Sequence, residues 1–184
     1  MRVIAGRFKG RRLASPRWAG LRPSSDKLRE TLFNVLAPRV AGAVVLDLYA
    51  GTGALGIEAL SRGAAHVTFV DRDRRAVGLI AENLSRCRIA GGYAIMRADI
   101  VTARDRLDEP RVFDLILLDP PYDEPDVEEM LATTGELLAP RGVLVLEHAR
   151  RCPVPPTAGI LFCTRALVSG DSALAFYERR APAE

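Results

Sequence analysis

The chain predicts an α/β fold with a mostly parallel sheet, and three observations carry that expectation. From residue 43 onward, short aliphatic runs alternate with stretches of helical periodicity, the pattern of a parallel sheet covered by helices on both faces. The first aliphatic run, Ala43 to Leu48, leads into Gly51-Thr52-Gly53-Ala54-Leu55-Gly56, a G-x-G-x-x-G turn of the kind that joins a strand to a helix under an adenosine-bearing cofactor. Beyond residue 142 three apolar runs follow without a helical stripe between them, so an antiparallel hairpin closes the sheet.

Each element follows from local pattern. Val3-Ile4, Phe8 and Leu13 alternate with Gly6 and Gly10, which predicts a small β-ribbon with turns. Arg22-Pro23-Ser24-Ser25-Asp26 reads as a loop with a serine cap and a first-turn acid. It opens a helix in which Leu28, Leu32, Val35 and Leu36 recur at helical spacing, ending near Pro38. Ala43 to Leu48 is a strand, the glycine turn starts a helix through about Ser61, and Val67 to Val70 is a strand ending at Asp71. Ala76, Val77, Leu79, Ile80 and Leu84 mark the next helix; a strand at Tyr93 to Arg97 and a helix at Val101 to Leu107 follow. Phe113 to Leu118 is a strand, and Val127, Met130, Leu131, Leu137 and Leu138 form a helical stripe. Gly142 to Glu147, Ile160 to Val168 and Ala173 to Glu178 complete seven strands, with Ser169-Gly170-Asp171-Ser172 as the hairpin turn.

Bulk properties restrict the function. With 184 residues and 48% hydrophobic content the chain suits one compact core, here a basic extension over residues 1–40 packed on an α/β domain over 41–184. The aliphatic run Leu115 to Leu118 is too short to span a bilayer, and the opening lacks the apolar segment of a secretion signal, so a soluble, cytoplasmic protein is expected. Cys87, Cys152 and Cys163 form no C-x-x-C pair, and His66 and His148 are the only histidines; neither a disulfide framework nor a metal centre is expected. The net charge of +3 is unevenly spread. Residues 1–30 hold nine basic and two acidic side chains, a balance of +7, which leaves −4 for the remainder. A basic arm on a mildly acidic body fits a polyanion ligand.

The turn alone leaves open a nicotinamide or another adenosine cofactor. Leu118-Asp119-Pro120-Pro121-Tyr122 directly after a buried strand decides between them. Proline fixes φ and lacks an N–H, so Asp119 and the Pro120 carbonyl can together accept both hydrogens of an exocyclic base amine, while Tyr122 offers a stacking face. Holding both N–H bonds in a pyramidal arrangement aims the amine lone pair at an electrophile. A nicotinamide oxidoreductase would leave this jaw without a use. Asp71, about twenty positions after the turn, can accept both hydroxyls of a ribose.

D-L-Y-A-G-T-G-A-L-G, the acidic end of the second strand and D-P-P-Y after the fourth resemble the class I S-adenosylmethionine-dependent methyltransferases of exocyclic base amines, with their Rossmann-like seven-stranded sheet. R-V-I-A-G-R-F-K-G-R-R-L, R-P-S-S-D-K-L-R-E-T-L-F-N and G-I-E-A-L-S-R-G-A narrow the resemblance to the RsmD family, from Met1 to about Tyr177. It implies a bacterial enzyme that places one methyl on N2 of a guanine in small-subunit (16S) ribosomal RNA, as free RNA or within an assembly intermediate, with S-adenosyl-L-methionine as cofactor. A cytoplasmic monomer without metal is expected. The resemblance carries Asp47, Tyr49, Gly51, Gly53 and Gly56 to the methionine portion of the cofactor, Asp71 to its ribose, and Asp99 with Ile100 to its adenine. It carries Asp119, Pro120 and Tyr122 to the target base. Arg7, Lys9, Arg11, Arg12, Arg22, Lys27 and Arg29 are the candidates for RNA contact. An adenine-N6 methyltransferase of DNA, or an RNA-binding protein with a vestigial cofactor fold, remain as alternatives.

Overall fold

The computed structural model describes residues 1–16, 18, 26–107, 112–121 and 126–180. Its helices are α1 (Asp26–Val40), α2 (Ala54–Ser61), α3 (Arg74–Arg86), α4 (Ile100–Arg106) and α5 (Val127–Gly135). The strands are β1 (Val44–Leu48), β2 (His66–Asp71), β3 (Tyr93–Arg97), β4 (Phe113–Leu118), β5 (Leu138–Ala149), β6 (Thr157–Ala158), β7 (Leu161–Ser169) and β8 (Ser172–Arg179). They form one sheet in the order β3-β2-β1-β4-β5-β8-β7-β6. β1 to β5 run parallel, and β8, β7 and β6 close the edge antiparallel.

Alternation along each strand divides the core between the two sheet faces. Val45, Phe69, Leu117, Val145 and Phe176 share one side with α1, α2, α3 and the N-terminal Val3, Phe8 and Leu13. Leu46, Val70, Leu118, Leu146 and Tyr177 face the other, with Met130 and Leu131 of α5. No helix among the described residues is long and apolar enough to cross a membrane.

Three expectations change. Among the described residues the sheet has eight strands, because the two-residue β6 pairs with Leu161 and Phe162; such a stub, directly after the proline-rich Pro153 to Pro156, is too short to show a periodicity. The predicted N-terminal ribbon is reduced to a single antiparallel bridge, Arg2 to Arg12. Val3 N, Gly10 N and Leu13 N still bond across the segment, but others between them are claimed by α2: Ile4 N and Ala5 N donate to the Glu58 carboxylate at 2.8 and 3.0 Å, Phe8 N to Ser61 Oγ at 2.9 Å, and Arg7 N to Ser61 O at 2.7 Å. Finally, Leu137 and Leu138 leave the helical stripe, because α5 stops at Gly135 and Leu138 pairs with Phe113 in β5.

Candidate active site

β1 is flanked by β2 on one side and β4 on the other. The chain order reverses there, so a crevice opens beyond the carboxyl ends of β1 and β4. Tyr49, Gly51 and Gly53, which leave β1, have φ of 57°, 56° and 74°. Glycine reaches this region without cost, whereas at Tyr49 the left-handed backbone stores strain, a recurrent feature of ligand-binding turns. Gly56 is required for a different reason. A Cβ there would lie 2.3 Å from Cε1 of Phe69, so its absence lets α2 sit directly on β2.

Two carboxylates shape the turn. Asp47 is buried in β1 and accepts the Gly56 N–H at 2.9 Å. Burial pushes its pKa up to about 8; the Gly56 hydrogen bond opposes this and the Asp71 charge reinforces it. At the end of β2, Asp71 accepts Gly51 N at 2.9 Å with one oxygen and Asp73 N at 2.8 Å with the other. Both oxygens keep lone-pair capacity for a ligand hydroxyl.

Beside the turn lies a cavity of about 290 Å³, near the lower end of the roughly 300–1,000 Å³ of small-molecule sites. Of the residues expected to bind the cofactor, Tyr49, Asp71, Asp99 and Ile100 line it. Asp99 also caps α4: its carboxylate accepts Thr102 N at 2.7 Å, and this bond holds its pKa below the ordinary carboxylate range. Leu48, Val70, Ala98, Val101 and Met130 add apolar wall, and Arg72, Asp126, Glu129 and Thr133 add polar groups. Apolar walls with carboxylates at two strand ends match a flat base joined to a ribose diol, so these residues fit an adenosine cofactor. Asp47, Gly51, Gly53 and Gly56 do not line the cavity. Gly51 is tied to the lining residue Asp71 through its amide, and Asp47 reaches the turn through the Gly56 amide.

Leu118 pairs in register with Leu48 of β1 and Leu146 of β5. Asp119 and Pro120 therefore leave the sheet at the same carboxyl edge as Tyr49. Asp119 is half-buried and Pro120 buried. Tyr122 and Arg22 lie outside the described residues.

The basic candidates separate into two groups. Arg7, Lys9, Arg12 and Lys27 are exposed and Arg11 is half-buried. The guanidinium carbons of Arg7 and Arg11 lie 5.5 and 5.0 Å from the centre of the Phe8 ring, which packs beneath both. Arg29 has to be withdrawn as an RNA contact: its side chain has no exposed surface, and its Nη2 donates to Arg2 O at 2.6 Å and to Asp26 at 2.8 Å. It fastens the first residues to α1 instead.

Three residues that hold the N-terminal segment have no role assigned from the sequence, although Glu58 and Ser61 lie within G-I-E-A-L-S-R-G-A. Glu58, Ser61 and Asn83 are buried polar side chains inside apolar helical stripes. A buried polar group must find partners, and theirs lie in the N-terminal segment 53 to 69 positions away. An unexplained polar residue on a core-facing helical position was the available clue.

Residues 1–178 match the family described as Conserved hypothetical protein 95. The YlbH protein of Bacillus subtilis is 39% identical over 183 residues, covering 98% of this chain and all of that protein. Ribosomal RNA small subunit methyltransferase D of Escherichia coli is 34% identical over 186 residues, covering all of this chain and 92% of that one. Among solved structures, the yhhF protein of Escherichia coli superposes with a TM-score of 0.85 at 33% identity, covering 99% of each chain.

Proposed function

This chain belongs to the Conserved hypothetical protein 95 family, the RsmD family, and from that premise we propose that it transfers a methyl group from S-adenosylmethionine to N2 of a guanine in small-subunit (16S) ribosomal RNA. The observation that supports the reading is that the acid-lined cavity around Asp71 and Asp99 and the Asp119-Pro120 pair that leaves β4 both lie at the carboxyl edge of the sheet, although neither Asp119 nor Pro120 is among the residues that line the cavity. E. coli methyltransferase D, similar over the full chain, bears a name that says small-subunit ribosomal RNA.

The cofactor supplies a methyl group already activated on a sulfonium, so the protein has to position more than to activate. Asp71 holds the ribose hydroxyls, and Asp99 and Ile100 flank the adenine. The Gly51 to Gly56 turn, tied down by Asp47 and Asp71, frames the methionine end. Asp119 and the Pro120 carbonyl accept hydrogen bonds from the two N–H groups of the guanine amine, the aspartate stabilises the positive charge that grows on nitrogen, and Asp119 or water accepts the one proton that the methylated amine releases. Tyr122 receives the ring of a base turned out of its stack. Residues 1–40 serve as the RNA-facing extension, through Arg7, Lys9, Arg11, Arg12, Arg22 and Lys27, and 41–184 as the catalytic domain. The enzyme works as a cytoplasmic monomer, without metal, on free RNA or an assembly intermediate.

The test is methylation of a small-subunit rRNA transcript, with nucleosides of the product resolved by mass spectrometry. N2-methylguanosine is the expected product; N6-methyladenosine or no transfer overturns the assignment. Asp119→Ala should lower the rate by roughly 10²- to 10³-fold, the scale of losing one preorganised electrostatic partner, while cofactor affinity changes by no more than about threefold.

A further inference from the structure

Both ends of the N-terminal segment converge on a single residue of the glycine turn. Val3 N donates to Arg11 O, Gly10 N to Val3 O and Leu13 N to Met1 O, so the segment doubles back on itself. Its tip, Arg7 and Phe8, sits at Ser61 at the far end of α2, about 12 Å along the helix from the turn at 1.5 Å per residue. Its two ends return to Thr52: Met1 Sδ lies 4.0 Å from the Thr52 hydroxyl, and Ala14 reaches Thr52 through Asn83.

Asn83 makes that connection with its whole amide. The side chain is fully buried on α3. Its Oδ1 accepts Ala14 N at 2.7 Å, and its Nδ2 donates to Ala14 O at 3.2 Å and to Thr52 O at 2.9 Å. One face of the amide thus holds the arm and the other holds the middle of the G-T-G turn. Gly51 and Gly53, which flank Thr52, both have positive φ; Gly53 N bonds Ala50 O within the turn and Gly51 N bonds Asp71, and the Thr52 carbonyl between them is held by Asn83. If the arm withdrew, Asn83 would keep a buried acceptor without its donor, a costly state. An ordered arm and an ordered turn therefore favour each other.

We propose that Asn83 is a positioning residue of the cofactor turn, and that through it RNA bound on the arm and S-adenosylmethionine bound in the cavity each tighten the other. The inference rests on the reading that the arm meets RNA. Linkage of this kind is reciprocal: the factor by which the cofactor raises RNA affinity equals the factor by which RNA raises cofactor affinity.

The measurement uses S-adenosylhomocysteine, so that no turnover occurs, and a full-length small-subunit rRNA transcript in filter binding. For the unaltered protein, saturation with S-adenosylhomocysteine should lower the RNA Kd by about five- to tenfold, and calorimetry should return the same factor for the cofactor with RNA present. In Asn83→Ala the factor should fall to within about twofold of one, whatever happens to either affinity measured alone. A purely architectural asparagine would weaken both ligands and leave the ratio alone. Asn83→Asp keeps the volume and the acceptor for Ala14 N but lacks both donors; it should lose the linkage too, and it replaces the alanine variant if that one melts below the assay temperature. A factor of one in the unaltered protein, or an unchanged factor in the variants, overturns the proposal. Replacing Arg7, Lys9, Arg11 and Arg12 by alanine separates the two levels. If the salt dependence of RNA binding stays the same, the arm does not meet RNA and the underlying reading falls; if it flattens while Asn83 variants keep the linkage, only the present inference falls.

Discussion

Asp47→Asn should stabilise the protein and remove much of its pH dependence between about pH 4 and pH 8. Asp47 is buried, with a folded-state pKa of about 8 against an ordinary 3.8. Between those values the folded chain holds a proton that the unfolded chain has released, so the contribution to stability is fully present below about pH 4 and is lost as pH rises through about 8. Each pKa unit is worth about 1.4 kcal/mol, which gives a penalty on the order of 4 kcal/mol at pH 7. Asparagine keeps an oxygen to accept the Gly56 N–H and has no charge to bury, so it avoids the penalty. At about 2–4 °C per kcal/mol for a domain of this size, the melting temperature should rise by on the order of 10 °C at pH 7. Calorimetric melts of both proteins at pH 5, 6, 7 and 8, at fixed ionic strength, provide the comparison. Asp73 and Asp99 shift in the opposite direction; what they add is lost only as pH falls below the ordinary carboxylate value and does not enter this window. Parallel pH profiles for the two proteins, or a lower melting temperature for the variant at pH 8, would refute the reasoning.

Other outcomes are expected on the same grounds. Asp71→Ala should weaken S-adenosylhomocysteine binding by tenfold or more, since it removes a cavity carboxylate and frees the Gly51 amide; RNA affinity without cofactor should move by less than about threefold, and equal losses would mean the fold has failed. Gly56→Ala should cost about 1–3 kcal/mol by overpacking against Phe69, read as a lower denaturation midpoint. Alanine at Arg7, Lys9, Arg11 and Arg12 should reduce the slope of log K against log[salt] by roughly 0.7 to 0.9 for each phosphate that the arm no longer neutralises, with S-adenosylhomocysteine affinity retained.

What the sequence shows well is what short-range pattern encodes. The parallel strands follow from periodicity over a few residues, the glycine turn and Asp71 from a motif and its spacing, and Tyr49, Asp99 and Ile100 from the family resemblance; Tyr49, Asp71, Asp99 and Ile100 line one cavity. Tertiary pairing is where pattern fails. Glu58, Ser61 and Asn83 look like breaks in apolar stripes until the N-terminal amides 53 to 69 residues away are placed against them. Arg29 shows the same limit from the side of charge: a count of basic residues weighs it equally with Arg7, yet one is sealed under the first strand bridge and the other is open to solvent. Asp47 sits in the expected motif, but its reach is decided by a hydrogen bond to its own turn.

The way the N-terminal segment is fastened separates its attachment from the RNA contact proposed for it. Glu58, Ser61, Asn83 and Arg29 grip main-chain atoms of that segment: the amides of Ile4, Ala5, Phe8 and Ala14 and the carbonyls of Arg2, Ala5 and Ala14. Arg7, Lys9 and Arg12 take no part in those grips through their side chains and stay exposed. The segment behaves as a socketed cassette, its fit written in the domain beneath and its contact chemistry in its own exposed residues. Exchanging those three side chains for others of similar size would re-aim the surface while every fastening hydrogen bond persisted, whereas Gly6 could not be exchanged. A Cβ there would fall 1.9 Å from Ser61 O, inside the socket itself.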